Sequence, residues 1–298
     1  MPLRHRKKWS LIFLAGLFGL VLANSASADA GISVGPQAEA ERGDAIAQEK
    51  IATAYLKKAE KLSISEQPRN AGRAADLFLK AMSWYRKSAD QGNYDAQFHM
   101  GDAYAKGLGA PRDKTKAAYW YRKAIDGVRK AAQQGIVDAQ YQLGRAYMLG
   151  KGISQDKTKA AYWVAVAAKQ GYAKAQYSLG EDYIHGWGLP KNDAKAYHWY
   201  TKAAKQGYDK ALSRLVTAYQ YGGWGVPKNP AKAAYWLKRA AEHGEVGAEQ
   251  QLAEAYYFGG SGMAKNKSKG IYWYKKAAKQ GDKIAQMALD EYQDNLSP

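Results

Sequence analysis

Tryptophan recurs at positions 84, 120, 163, 199, 236 and 273, with spacings of 36, 43, 36, 37 and 37 residues. From Trp120 onward each stands in a variant of one phrase: AYWYRKA, AYWVAVAAKQG, AYHWYTKAAKQG, AYWLKRAAEHG and IYWYKKAAKQG. A second pattern keeps step with the first. Alanine, Leu or Met four residues on, and Tyr after four more read Ala96-Met100-Tyr104, Ala139-Leu143-Tyr147, Ala175-Leu179-Tyr183, Ala211-Leu215-Tyr219 and Ala248-Leu252-Tyr256. Residues so spaced share one stripe of a helix, which predicts an amphipathic helix in each unit. Self-similarity at this period is the mark of a stacked array whose units cannot bury their apolar faces alone.

The segment between stripe and tryptophan has constant chemistry. Gly-x-Gly occurs at Gly107/Gly109, Gly150/Gly152 and Gly186/Gly188, and GGWG and GGSG later run one residue longer. Glycine supplies the positive φ of a tight helix-to-helix turn. Asp113, Asp156, Asn192, Asn229 and Asn266 follow, placed to accept the first free N–H groups of a second helix, and Pro230 suits a first helical position. The second helix carries the tryptophan and is expected to stop at Gly92, Gly135, Gly171, Gly207, Gly244 and Gly281 in a left-handed cap. Each unit thus reads helix, turn, helix, stop.

The array has an irregular start and end. Ala47, Ile51 and Tyr55 repeat the stripe, but Tyr55 lies 29 residues before Trp84, so residues 37–92 are expected to be a degenerate first repeat with a long exposed loop around KLSISEQPRN. Five regular repeats occupy 93–281, and 282–298, with Ala285 and Leu289 before the polar DEYQDNLSP, suit a capping helix. The 43-residue spacing comes from a duplicated Arg-Lys-Ala piece at Arg122 and Arg129. Seven extra residues keep a helical face in register to about 20°, although Gly127 offers a place to break.

The unit AxxxLGxxYxxGxGVxxDxxKAxxWYxKAAxQG resembles the Sel1-like repeat (SLR) family, relatives of the tetratricopeptide repeats, strongly over Ala96 to Gln286 and weakly over Ala47 to Gly92. Gly101, Gly144 and Gly180 match the family's glycine after Leu. Val216 and Ala253 depart there, which is expected to loosen the helix contact in those units. The aromatic after Trp is present at Tyr85, Tyr121, Tyr200 and Tyr274 and is replaced by Val164 and Leu237. The resemblance implies an all-α, right-handed solenoid of about six antiparallel helix pairs whose first helices line a concave surface. It also implies a scaffold or adaptor that binds proteins. The disulfide-stapled branch of the family does not fit, because the chain has no cysteine.

Residues 1–28 look like an export signal. Basic MPLRHRKKW precedes apolar LIFLAGLFGLVLA and a small-x-small site, Ala26-Ser27-Ala28, which places cleavage after Ala28, a flexible stretch at 29–36 and the mature chain in the periplasm. An uncleaved anchor is the rival; after cleavage no stable membrane span is expected. Removing Arg4, Arg6, Lys7 and Lys8 from a chain of formal charge +18 leaves +14. An exported protein seldom meets nucleic acid, so this charge suits an acidic patch on an envelope protein, an anionic envelope polymer such as a glycan, or lipid head groups, unless it only solvates the outer helix faces.

Candidate sites follow from the helical geometry. The six Trp residues are expected in the core. Phe98, Tyr141 and Tyr177 point away from the stripe, in the direction held by Ser213 and Gln250 in later units. Tyr221, Tyr257 and Phe258 stand near helix ends, and His99 and His185 could join them in a partner-binding row. The bland alternative is that this row packs between successive repeats. Tyr119, Tyr162, Tyr235 and Tyr272, with His198, are expected to close the seam between repeats. Gly31-Ile32-Ser33-Val34-Gly35 fits a hydrolase motif by letter but lacks its strand and helix. His99, His185, His198 and His243 lack metal-ligand spacing. No enzyme, metal or cofactor is expected.

Overall fold

The computed structural model describes residues 34–64 and 68–294. The expected export signal, its cleavage point after Ala28 and residues 29–33 lie outside the described residues. Among those described, the chain forms fourteen helices and no strand: α1 (Val34–Glu41), α2 (Ala45–Ser63), α3 (Pro68–Asp90), α4 (Tyr94–Lys106), α5 (Lys114–Gln133), α6 (Val137–Leu149), α7 (Lys157–Lys169), α8 (Ala173–His185), α9 (Asp193–Lys205), α10 (Asp209–Tyr221), α11 (Pro230–Glu242), α12 (Val246–Phe258), α13 (Lys267–Lys279) and α14 (Lys283–Asp294). Adjacent helix pairs pack together as an all-α solenoid. The chain divides into two compact units, Met1–Gln134 with Leu149–Gln155, and Gly135–Met148 with Asp156–Pro298.

The first unit corrects two expectations about the start of the array. Residues 34–36, expected to be flexible, open α1, because Gln37 and Ala40 are buried and the Ala40 carbonyl accepts a hydrogen bond from Gln48 Nε2 at 3.0 Å. The long loop is largely absent. Helices α2 and α3 run for 19 and 23 residues where a regular helix has 13, and four residues join them where a regular turn has seven. Helix formers such as Ala59 and Leu62 extend the apolar stripe, and burying it stabilises more than an exposed loop could. The core of this unit gathers Ile51, Tyr55, Tyr85, Met100 and Trp120. Helix α5 runs unbroken through Gly127 for 20 residues, seven more than a regular helix, and Ile125, Val128 and Ala132 carry its buried face along the insertion.

The second unit shows the regular repeat. Its main core runs from Ala196 to Leu289 and includes Tyr200, Leu215, Trp236, Leu252 and Tyr274. Asn192, Asn229 and Asn266 cap α9, α11 and α13, accepting the N–H groups of Lys195, Lys232 and Lys269 at 2.8, 3.0 and 3.0 Å. In the turn before α9, Gly188 lies against the Lys157 carbonyl at the start of α7, so closely that a Cβ would overlap it. In the eight-residue turns the sequences Gly223-Trp224-Gly225-Val226 and Gly260-Ser261-Gly262-Met263 close on themselves, with Trp224 and Ser261 at φ 52° and 50°. Two successive positive φ values make these type I′ turns.

Burial of the recurrent aromatics is uneven. Trp120, Trp236 and Trp273 are buried, whereas Trp84, Trp163 and Trp199 are half-buried. The following residue is buried at Tyr85, Val164, Tyr200, Leu237 and Tyr274. That position turns about 100° further round the helix and meets the first helix of its own pair. A Cβ on Gly101, Gly144 or Gly180 would overlap Tyr121, Val164 or Tyr200, respectively.

The departures at Val216 and Ala253 do not loosen the contact. Val216 faces a repeat in which the aromatic is Leu237, and both are buried. Ala253 is matched by Gly270, where the other second helices carry alanine, and a Cβ on Gly270 would come within 3.0 Å of the Ala253 carbonyl. Small and large trade places across the pair, and the facing residues stay buried either way.

Candidate functional site

Two layers of side chains define the first-helix side of the second unit. The deeper layer is polar. Gln176, buried after the first stripe alanine of α8, donates to the Ala168 carbonyl at the end of α7 at 3.2 Å and accepts from Gln206 at 2.7 Å. Glu249 is fully buried at the matching place in α12, where it accepts from Gln280 at 2.7 Å and pairs with Lys276 at 3.2 Å. These groups tie the ends of α7, α9 and α13 to neighbouring helices.

The outer layer is aromatic. Tyr141 is half-buried, edge-on to Tyr172 at 5.4 Å, with its hydroxyl 3.2 Å from Ser178 Oγ. Tyr177 lies between Tyr200 and Tyr208, at 5.6 and 5.4 Å. Tyr257 sits among Phe258, Tyr274 and Tyr292. These three rings therefore pack between elements. Their neighbours are the presented ones: Tyr221 is 79% and Phe258 68% exposed, and His185 stacks on exposed Trp187 at 4.5 Å.

A charged cluster and a cavity interrupt this row. Arg214 on α10 holds Glu181 on α8 through two bonds of 3.0 and 2.9 Å, and Glu181 also accepts the Tyr200 hydroxyl at 2.6 Å. Burial and this carboxylate push the Tyr200 phenol well above its usual range, so it stays a donor. Trp224 packs on Tyr200 at 5.0 Å. One repeat further on the same directions carry Ser213 and Leu237 instead of Tyr177 and Tyr200. There a cavity of about 340 Å³ opens. Val216, Leu237, Ala240 and Ala248 give it apolar walls, Ser213, Thr217 and Glu245 give it polar ones, and Tyr221 stands among its lining residues.

In the first unit Phe98 and His99 occupy separate surroundings. Phe98 lies 6.4 Å from Tyr121, whose hydroxyl donates to Asp102 at 2.5 Å. Lys151 also pairs with Asp102 and holds its carboxyl below the usual range, against the opposing effect of burial. His99 stacks on Tyr85 at 4.4 Å beside a cavity of about 120 Å³, and burial lowers its pKa.

The expectation that Tyr119, Tyr162, Tyr235 and Tyr272 close the seam is corrected. They are 54–62% exposed, each edge-on to the Trp beside it in its own helix. The residue before the Trp turns outward because the Trp and its successor take the two inward directions. Among the described residues no group of three His, Asp or Glu could hold a metal ion, and no helix is long and apolar enough to cross a membrane.

Sequence reasoning passed over the Glu181–Arg214–Tyr200 cluster and the cavity. The signals were present as departures from the unit, Ser213 for an aromatic and Leu237 for Tyr, but their meeting in space depends on packing between repeats.

A family model described as Sel1 repeat matches residues 67–93, 95–127, 137–172, 173–208, 211–245 and 247–282. The solved structure of c5321, a protective antigen present in uropathogenic Escherichia coli strains and displaying an SLR fold, is 32% identical with a TM-score of 0.50. The match covers 85% of this chain and 50% of that one, so this chain spans half the length of that relative. A Sel1 repeat protein from Oxalobacter formigenes is 24% identical with a TM-score of 0.53, the match covering 86% and 89% of the two chains, and supports the fold. Among curated proteins none matches.

Proposed function

The chain belongs to the Sel1 repeat family, whose members are in general non-catalytic scaffolds for protein interactions, and from that premise we propose that it holds an envelope protein on the first-helix side of its second unit, in the periplasm. The carrying observation is the cavity between Ser213 and Leu237 with exposed Tyr221 beside it. A mixed polar and apolar pocket of this size accepts one large side chain of a partner. Phe258 and the His185–Trp187 stack extend the contact as aromatic anchors on a preformed backbone. The basic n-region and apolar h-region before Ala28 support export.

Site-specific photo-crosslinking in the native cells tests the reading. A crosslinker at position 221 or 258 is expected to trap one envelope protein, and Ser213→Trp, which fills the cavity, is expected to abolish the adduct while far-UV circular dichroism stays unchanged. Adducts that survive Ser213→Trp, or that form equally from position 174 on the N-terminal turn of α8, rule this surface out.

A further inference from the structure

The other side of the same unit carries a different chemistry. Second helices α7, α9, α11 and α13 together hold fourteen Lys and Arg against two Asp and Glu. First helices α6, α8, α10 and α12 hold four against six. Lysine that only kept the protein soluble would not be sorted by helix. Within the basic set, Tyr162, Tyr235 and Tyr272 are 62, 54 and 59% exposed, and His198 occupies the same position in α9.

These rings are braced. Each stands edge-on to the Trp of its own helix, at 5.4 Å for Tyr162, 5.0 Å for Tyr235 and 5.2 Å for Tyr272, with His198 at 5.4 Å from Trp199. Lysines cover two of those tryptophans, Lys202 over Trp199 at 4.8 Å and Lys276 over Trp273 at 4.6 Å, and Arg239 lies 3.3 Å from the Tyr235 hydroxyl. The helices bearing them are consecutive neighbours. Gln206 at the end of α9 donates to the Gly171 carbonyl after α7 at 2.9 Å, His243 after α11 lies against Gly207 after α9, and Gly262 before α13 lies against Pro230 of α11. One aromatic position therefore recurs at every step along a line, with a cation beside it in α9, α11 and α13.

We propose that this second-helix face of the second unit binds an extended acidic polysaccharide. A repeating ligand is what a repeating row of equivalent subsites fits, because each added subsite binds at high effective concentration. Carboxylates along the polymer pair with exposed lysines such as Lys202 and Lys275, Lys276 being already held by Glu249. The exposed tyrosines offer flat apolar faces to the C–H surfaces of sugar rings, with little rotamer entropy left to lose. The protein partner on the first-helix side is untouched by this contact, so the two activities are separable.

The test is titration of the full chain with polygalacturonate, with neutral dextran as control, followed by the variant Tyr162→Ala/Tyr235→Ala/Tyr272→Ala. Polygalacturonate is expected to bind and dextran not. The triple variant is expected to weaken binding by about tenfold or more, which corresponds to some 0.5 kcal/mol per ring, while Tyr→Phe at the same three positions stays within about twofold. Raising the salt is expected to weaken all forms in parallel. Exposed positions keep the variants folded, and unchanged far-UV circular dichroism checks it. Binding that ignores the Tyr→Ala changes shows a bulk charge effect and overturns the proposal. Absence of polygalacturonate binding does the same, as does tighter binding to duplex DNA or to phosphatidylglycerol vesicles.

Discussion

The hairpins α8–α9 and α10–α11 are neighbours of equal helix length, and they fill their interiors differently. In the first, Gly180 makes room for Tyr200, whose ring then reaches Tyr177, Trp224 and the Glu181–Arg214 pair. In the second, Val216 meets Leu237, no ring projects, and the space becomes a cavity. Between these two hairpins a larger residue on the first helix answers a smaller one on the second, and neither identity is kept. Where the large partner is aliphatic and the outer residue is Ser213, the unit opens towards solvent.

The most severe way to break this comparison is to give the first hairpin half of the second one's solution. Gly180→Val is expected to destabilise by about 3 kcal/mol, because its side chain overlaps the Tyr200 ring. Adding Tyr200→Leu is expected to recover more than half of that loss, which urea unfolding of the single and double variants measures. If the double variant is no more stable than Gly180→Val alone, volume exchange is not the rule.

A buried acid separates the hairpins next. Asp182 stands where Ala103, Ala146, Ala218 and Ala255 stand in the other regular repeats, 3% exposed, with Oδ2 lacking a hydrogen-bond partner among the described residues. Burial, helped by the neighbouring Glu181 charge, raises its pKa to about 7. The folded state thus holds a proton that the unfolded state, titrating near about 3.9, has released, and stability falls as pH rises between these values. Asp182→Ala is expected to be more stable than the parent at pH 8, by about 4 kcal/mol, with the difference fading as pH falls towards 4. Melting temperatures of the two proteins across that range check it; a constant difference would show that the acid is not the cause.

How much of this was legible in the sequence depends on whether a residue acts within its unit or between units. The turn glycines, the Asn and Asp caps and the stripe could be placed because φ, capping and helical period are local. Gly127 was ambiguous because seven residues suit either a longer helix or a break; Val128 and Ala132, buried beyond it, settle the matter. Tyr162 and its equivalents were misplaced for a related reason. A helix packed on two sides has two inward directions, and period alone does not say which of three adjacent aromatics is left outside. Tyr141 and Tyr177 pack against Tyr172 and Tyr208, residues that precede α8 and α10, a meeting that only the step between repeats creates.

The mildest prediction sharpens the comparison by finding no difference. Asn192→Ala and Asn229→Ala remove caps of nearly identical geometry, and each is expected to cost about 1 kcal/mol. Thermal melts that agree within error confirm that the hairpins diverge only in their interiors. A cost confined to one hairpin would mean that the caps take part in that divergence.

The closeness of Gly188 to the Lys157 carbonyl has an evolutionary consequence. Where one unit rests on the next through main chain alone, no outward side chain helps to set the joint, so mutation can rewrite the exterior of a repeat without disturbing its seat. Such a chain can change its clientele and keep its architecture.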